Sequence, residues 1–169
     1  VATKIHWKQA IIDKKWKLSS ELAYEFLHQN FATEQGFTPV EFERDWNIVN
    51  PSGNRQILQA SLVLAKQKKS TFNYSISSLQ FSDNFKGVKH DFNAATRLNN
   101  TTIKSYVSFL NNNSSIENNN FLRAKGKVEH AFKKSWIGGF TNLESNERTL
   151  KSNQLLSNLS HRFKEFETY

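Results

Sequence analysis

The 169-residue chain has no cysteine and no methionine, two prolines and six glycines. Without cysteine there is no disulfide framework, thiol nucleophile or thiolate metal site, and a zinc finger is excluded. Long apolar runs are also missing. The longest, 57–65, is broken by Gln59 and Ser61, which argues against a membrane span and against a membrane partner. The glycines form no phosphate-cradling loop, and no serine lies in a nucleophile elbow. The length excludes two large domains. The stretch 1–17 lacks the apolar core of a signal peptide, and a chain starting at Val1 is trimmed, excised or renumbered. The lack of cysteine suits a cytosolic protein as well as an exported one that needs no bridges, and a cytoplasmic location is expected.

What the sequence does contain is aromatic and basic. Fourteen Phe, four Trp and four Tyr supply enough bulk for a core although the mean hydropathy is −0.64. The net charge of +8 comes from 23 Lys and Arg against 15 Asp and Glu. It is unevenly spread. Glu21, Glu25, Glu34, Glu41, Glu43 and Asp45 make 19–47 acidic, whereas the surplus of cations lies between 55 and 134. Clustered cations release counterions on meeting phosphates, which points toward nucleic acid.

Apolar spacing predicts a mainly α, compact helical domain over 1–140, followed by a C-terminal amphipathic helix over 141–169. Leu22, Ala23, Phe26 and Leu27 form one helical stripe. Thr38-Pro39-Val40-Glu41 reads as a capped helix start running to the breaker cluster Asn50-Pro51-Ser52-Gly53. Ser52 or Asn54 then caps a helix carrying Ile57, Leu58, Leu62 and Ala65. Only 71–81 reads as strand: Phe72, Tyr74 and Ile76 alternate with polar residues, and Leu79 and Phe81 alternate in the opposite phase. That phase slip predicts a bulge, a turn or an anchored loop. Leu150, Leu155, Leu156, Leu159, Phe163 and Phe166 form the stripe of the final helix.

Residues 87–112 carry the functional expectation. Asp91 to Leu98 reads as a short helix, Asn99-Asn100 as a turn, and Thr101-Thr102 as the cap of a second helix with Ile103, Tyr106, Val107 and Leu110 on its apolar face. This stretch resembles the second half of a bacterial helix-turn-helix, with a turn about two residues shorter and Asn99 where glycine is common. The segment 121–128 resembles the wing of winged-helix proteins, with Lys125-Gly126-Lys127 at its tip; the competing reading is a helix from Ser114 to about Trp136, favoured from Lys127 onward, with 116–126 left open. The resemblance implies groove contacts from Thr101, Thr102, Lys104 and Ser105, and phosphate contacts from Lys86, Lys89, Arg97, Arg123, Lys125, Lys127, Lys133 and Lys134.

Catalytic and metal patterns are weak. None of the five histidines pairs with another at helical ligand spacing, His90-Asp91 is a lone dipeptide, and Glu41, Glu43 and Asp45 stabilise a helix start. No metal, cofactor or catalytic residue is expected, and a non-enzymatic role is favoured. The expected function is nucleic-acid binding, with DNA favoured. The alternative is a helical interaction or assembly module without nucleic-acid affinity, forming homo-oligomers through Leu155, Leu159, Phe163 and Phe166.

Overall fold

The computed structural model describes residues 2–13, 15–30, 45–46, 48, 52–67, 69–114, 117–132, 136–150 and 157–168, with backbone alone at 13, 136, 148–150 and 157–168. It is a β protein, not a helical one. Nine strands follow one another: β1 (Ala2–Asp13), β2 (Lys17–Leu27), β3 (Arg55–Lys66), β4 (Ser70–Phe81), β5 (Phe85–Leu98), β6 (Thr101–Ser114), β7 (Glu117–Ala131), β8 (Trp136–Leu150) and β9 (Ser157–Thr168). Each pairs antiparallel with the next, giving one sheet in the order β1 to β9. Among the described residues β1 and β9 pair on one side only.

The expected helices at 20–27 and 57–65, and the described parts of the one expected at 141–169, are therefore strands. The stretch read as a strand, 71–81, is β4. The helix expected from Thr38 lies outside the described residues except at Asp45, Trp46 and Ile48, as does Leu155. The supposed helix-turn-helix is the β5–β6 hairpin. Leu98 pairs with Thr101 around the two-residue turn Asn99-Asn100, and Asn99 has a φ of 53°. A two-residue hairpin needs the left-handed backbone that asparagine tolerates, so the feature that suited a helical turn serves a hairpin. The supposed wing lies within the single strand β7, which also takes up the competing helix from Glu117 to Ala131.

Side chains at directly paired positions share a face, so the ladder sorts the whole sheet into two faces. One face carries Ile5, Trp7, Leu22, Leu58, Leu62, Tyr74, Ile76, Val88, Phe92, Ile103, Val107 and Phe109, all exposed. The other carries Ser75, Ser77 and Ser108, which are only 5–8% exposed although they are small and polar. A flat single sheet would leave both faces equally open. The sheet instead curls around its polar face, which is concave.

The small hydrophobic core sits at one end of that concave face. Trp46, from the long connection between β2 and β3, packs there with Leu79, Phe81, Phe85 and Leu110, and Ile48, Ile57 and Phe121 pack around this group. The phase change in β4 has its cause here. Phe72, Tyr74 and Ile76 lie on the convex face, whereas Leu79 and Phe81 turn inward beneath Trp46, with unbroken pairing to both neighbours. No bulge is involved. The strand changes its apolar side where the inner face becomes dry.

Candidate functional site: the two faces of the sheet

The convex face is apolar over a continuous band. Among the described side chains, every exposed large hydrophobic one at a paired strand position lies on it; Ile11 sits at the β1 irregularity, and Trp16 and Phe132 lie in turns. Its positions within 18–26, 58–64, 72–76, 88–98, 103–109, 122–128 and 137–143 hold no Asp, Glu, Lys or Arg. Ser78, Asn111, Asn120 and Glu147 stand in one cross-strand row at the edge of the band. Asn111 Nδ2 donates to Asn120 Oδ1 at 2.6 Å in that row.

The band is oblique to the ladder. Its upper limit is Phe26 on β2 and Leu143 on β8. Following the register across from Phe26 leads to Thr149, six residues beyond Leu143. That is a drop of about 20 Å along the strand over about 29 Å across the sheet, an inclination of about 35°. On β2 the band runs from Leu18 to Phe26, about 27 Å along the strand and about 22 Å perpendicular to its own edges.

Polar groups in and beside the band pair with one another at two places. Tyr74 Oη and His90 Nδ1 are 2.8 Å apart, and Thr101 Oγ1 and His130 Nδ1 are 2.8 Å apart. Rings collect near the short turns: Trp16 lies 6.5 Å from Phe72, Lys66 Nζ stands 5.1 Å from the Trp16 ring, and His130 and Phe132 meet edge to face at 4.5 Å.

The concave face is charged and hydrogen-bonded. Lys89 Nζ lies 3.5 Å from Asp91, whose Oδ1 accepts a 2.9 Å bond from the Tyr106 hydroxyl. Burial, reinforced by the Asp91 charge, pushes the Tyr106 phenol above its ordinary value, against the Ser108 hydrogen bond and Arg123. Arg123 reaches Asp45 at 3.4 Å and its guanidinium lies 4.3 Å from the Phe121 ring. Lys89 Nζ is 5.4 Å from the Trp46 ring. Arg55 pairs with Glu25. His6 and Glu21 are 2.7 Å apart. The Arg123 and Lys89 contacts fix the Asp45–Trp46 segment to the inner wall.

The ladder divides the residues proposed from sequence. Lys89, Arg97, Thr102, Lys104, Arg123, Lys125 and Lys127 share the concave face, whereas Lys86, Thr101 and Ser105 lie on the convex one. Lys133 and Lys134 lie outside the described residues. Thr101, Thr102, Lys104 and Ser105 cannot form one groove-reading surface, because consecutive strand residues point to opposite faces. The all-β fold conflicts with a helix-turn-helix mechanism and with a helical assembly module. No helix among the described residues is long and apolar enough to cross a membrane. No group of three or more His, Asp or Glu among them could hold a metal.

Sequence reasoning missed the convex band, whose signal was available as alternation over 12–15-residue segments separated by short polar turns. No protein family model, curated protein or solved structure matches the chain.

Proposed function

We propose that the protein is a membrane-embedded β-sheet wall, with its convex face against lipid hydrocarbon and its concave face lining a polar interior. The observation that carries this reading is the inversion of burial. Large hydrophobic side chains such as Ile5 (59% exposed) and Leu58 (54%) lie outside, while small polar ones such as Ser108 (5%) are enclosed. In water that arrangement leaves an apolar patch far larger than a soluble monomer carries. In a bilayer it is the expected one, because lipid-facing and interior-facing residues alternate along each strand.

Three further features agree. The band is about 22 Å high, close to the apolar belt of membrane barrels at about 25 Å, and its inclination of about 35° lies at the lower end of their strand tilt. The inner strands β2 to β8 each pair on both sides, the condition a hydrocarbon core imposes on backbone groups. Each turn at the β1–β2 end is short, while the long connection 28–54 lies at the opposite end and sends Trp46 onto the inner face. This reading departs from the sequence-based expectation of no membrane partner, which looked for one continuous apolar run. A strand crosses with alternate residues only.

The test is reconstitution of the full chain into phosphatidylcholine vesicles, with single-tryptophan variants and lipids brominated along the acyl chain. Tryptophan at position 7, on the convex face, should be quenched strongly and tryptophan at 46 weakly. A chain that folds to the same β content in plain buffer as a closed monomer or dimer, with Trp7 unquenched by lipid, would overturn the proposal. A bilayer tolerates no open strand edge, so the β1 and β9 edges must be paired in the membrane. The oligomeric state in detergent reports how.

A further inference from the structure

The concave face carries a cluster of cations around the β6–β7 ladder. Lys104 on β6 and Lys127 on β7 are directly opposed in the ladder, and Lys125 lies two residues away on the same face, diagonal to Lys104. Opposed positions hold their Cβ atoms about 5 Å apart, and like charges there are destabilising. Arg97, opposite Thr102, adds a fourth cation diagonal to Lys104. Glu129 lies 2.9 Å from Lys127. Glu144, opposite Arg123 on the same face, lies diagonal to Lys125, and Asp91 is taken by Lys89 and Tyr106.

The three lysines line a cavity of about 510 Å³ open to the concave side, together with Asn73, Tyr106 and Phe140. That size suits a small-molecule site, which typically spans about 300–1,000 Å³, and is too small for a nucleic-acid duplex. Asn73 Oδ1 is buried there with no hydrogen-bond partner. A buried acceptor without a donor costs free energy, and a ligand hydroxyl would satisfy it. Phe140 offers a ring for an apolar edge of the same ligand.

We propose that this cavity binds an acidic sugar: a monosaccharide-sized polyol carrying a carboxylate or phosphate. The anion sits among Lys104, Lys125 and Lys127, a hydroxyl donates to Asn73 Oδ1, and the ring rests against Phe140. Lysine clusters on a lumen wall select anions by the same electrostatics. The site depends on the inner face alone, so it can fail while the membrane reading stands, and the reverse.

Calorimetric titration of the full folded chain with glucuronate, glucose 6-phosphate, inorganic phosphate and glucose tests the assignment. At least one acidic sugar should saturate a single site and bind at least tenfold more tightly than glucose and than inorganic phosphate. Lys104→Gln and Lys125→Gln should each weaken it about tenfold, and Lys86→Gln, on the convex face, should leave it unchanged. Should either variant misfold, acetylation of the native chain read by mass spectrometry decides: the acidic sugar should protect Lys104 and Lys125 and leave Lys86 reactive. Whether carboxylate or phosphate binds better distinguishes the two anion sources. Equal binding of glucose, inorganic phosphate binding as well as the sugar phosphate, or no saturable binding with no protection of Lys104 and Lys125 would each overturn it.

Discussion

Asn112 Nδ2 donates a 2.7 Å hydrogen bond to the carbonyl oxygen of Trp46, a residue 66 positions earlier in the chain. Asn112 is 2% exposed and lies on the concave face near the end of β6, so this bond is buried and ties the long β2–β3 connection to the end of the sheet that holds the core. Replacing Asn112 with Ala leaves that carbonyl without this donor beneath a packed indole. The expected loss of stability is about 1–3 kcal/mol. Trp46→Ala, which also opens a cavity beside Leu79 and Phe85, should cost about 3–5 kcal/mol. Asn111→Ala, one residue away on the convex face, should change stability by less than about 0.5 kcal/mol. Denaturation midpoints of the three variants check the order.

Phe92 and Val107 face each other across the β5–β6 ladder in the middle of the apolar band. If the band meets hydrocarbon, Val107→Arg should destabilise the lipid-folded protein by about 2–4 kcal/mol, and Asn113→Arg, at the polar end of the same strand face, by no more than about 1 kcal/mol. Equilibrium unfolding from vesicles measures both. Equal costs at the two positions would argue that the band is covered by something other than lipid.

These two regions also explain how far the sequence could be read. The β4 alternation of Phe72, Tyr74 and Ile76 was legible because three bulky residues occupy successive positions of one face. On β6 the corresponding positions are Ile103, Ser105, Val107 and Phe109, and the serine leaves apolar marks four apart. Tyr106 and Leu110, pointing inward, then complete a helical stripe with Ile103 and Val107. Two strand faces were thus read as one helix face. The asparagine pair 99–100 was correctly read as a turn, but its partners were not. Seven of the twelve candidate contact residues, among them Lys104, Lys125 and Lys127, fall on one face, since even spacing within each strand preserves the face. Which face it is, and its curvature, come from pairing between strands distant in sequence, and local patterns do not carry that information.

Lys104 and Lys127 stand directly opposite one another in the β6–β7 ladder, where like charges are unfavourable, and Glu129 lies 2.9 Å from Lys127. Lys104→Gln should therefore stabilise the protein by about 0.2–1 kcal/mol in a low-salt buffer of weakly bound ions. The gain should shrink at about 1 M salt, where the screening length falls to about 3 Å. Lys8→Gln, which removes a cation lying 3.9 Å from Glu21, should show no such gain. Thermal unfolding at the two ionic strengths separates these outcomes.

Glu21 provides the pH dependence. Its Oε1 lies 2.7 Å from His6 Nε2, and this hydrogen bond, helped by the charges of His6 and Lys8 and opposed by desolvation, holds its carboxyl below the ordinary carboxylate value. A carboxyl whose folded pKa is depressed favours the folded state above its unfolded pKa, and that contribution is lost as pH falls through the folded value. The pair is exposed, so the effect on stability is small and screened. The shift itself is measurable. In a carbon-detected NMR titration the Glu21 midpoint should lie below that of an unstructured glutamate, and His6→Ala should move it upward. An unchanged midpoint in that variant would show that the pairing seen between β1 and β2 does not persist in solution.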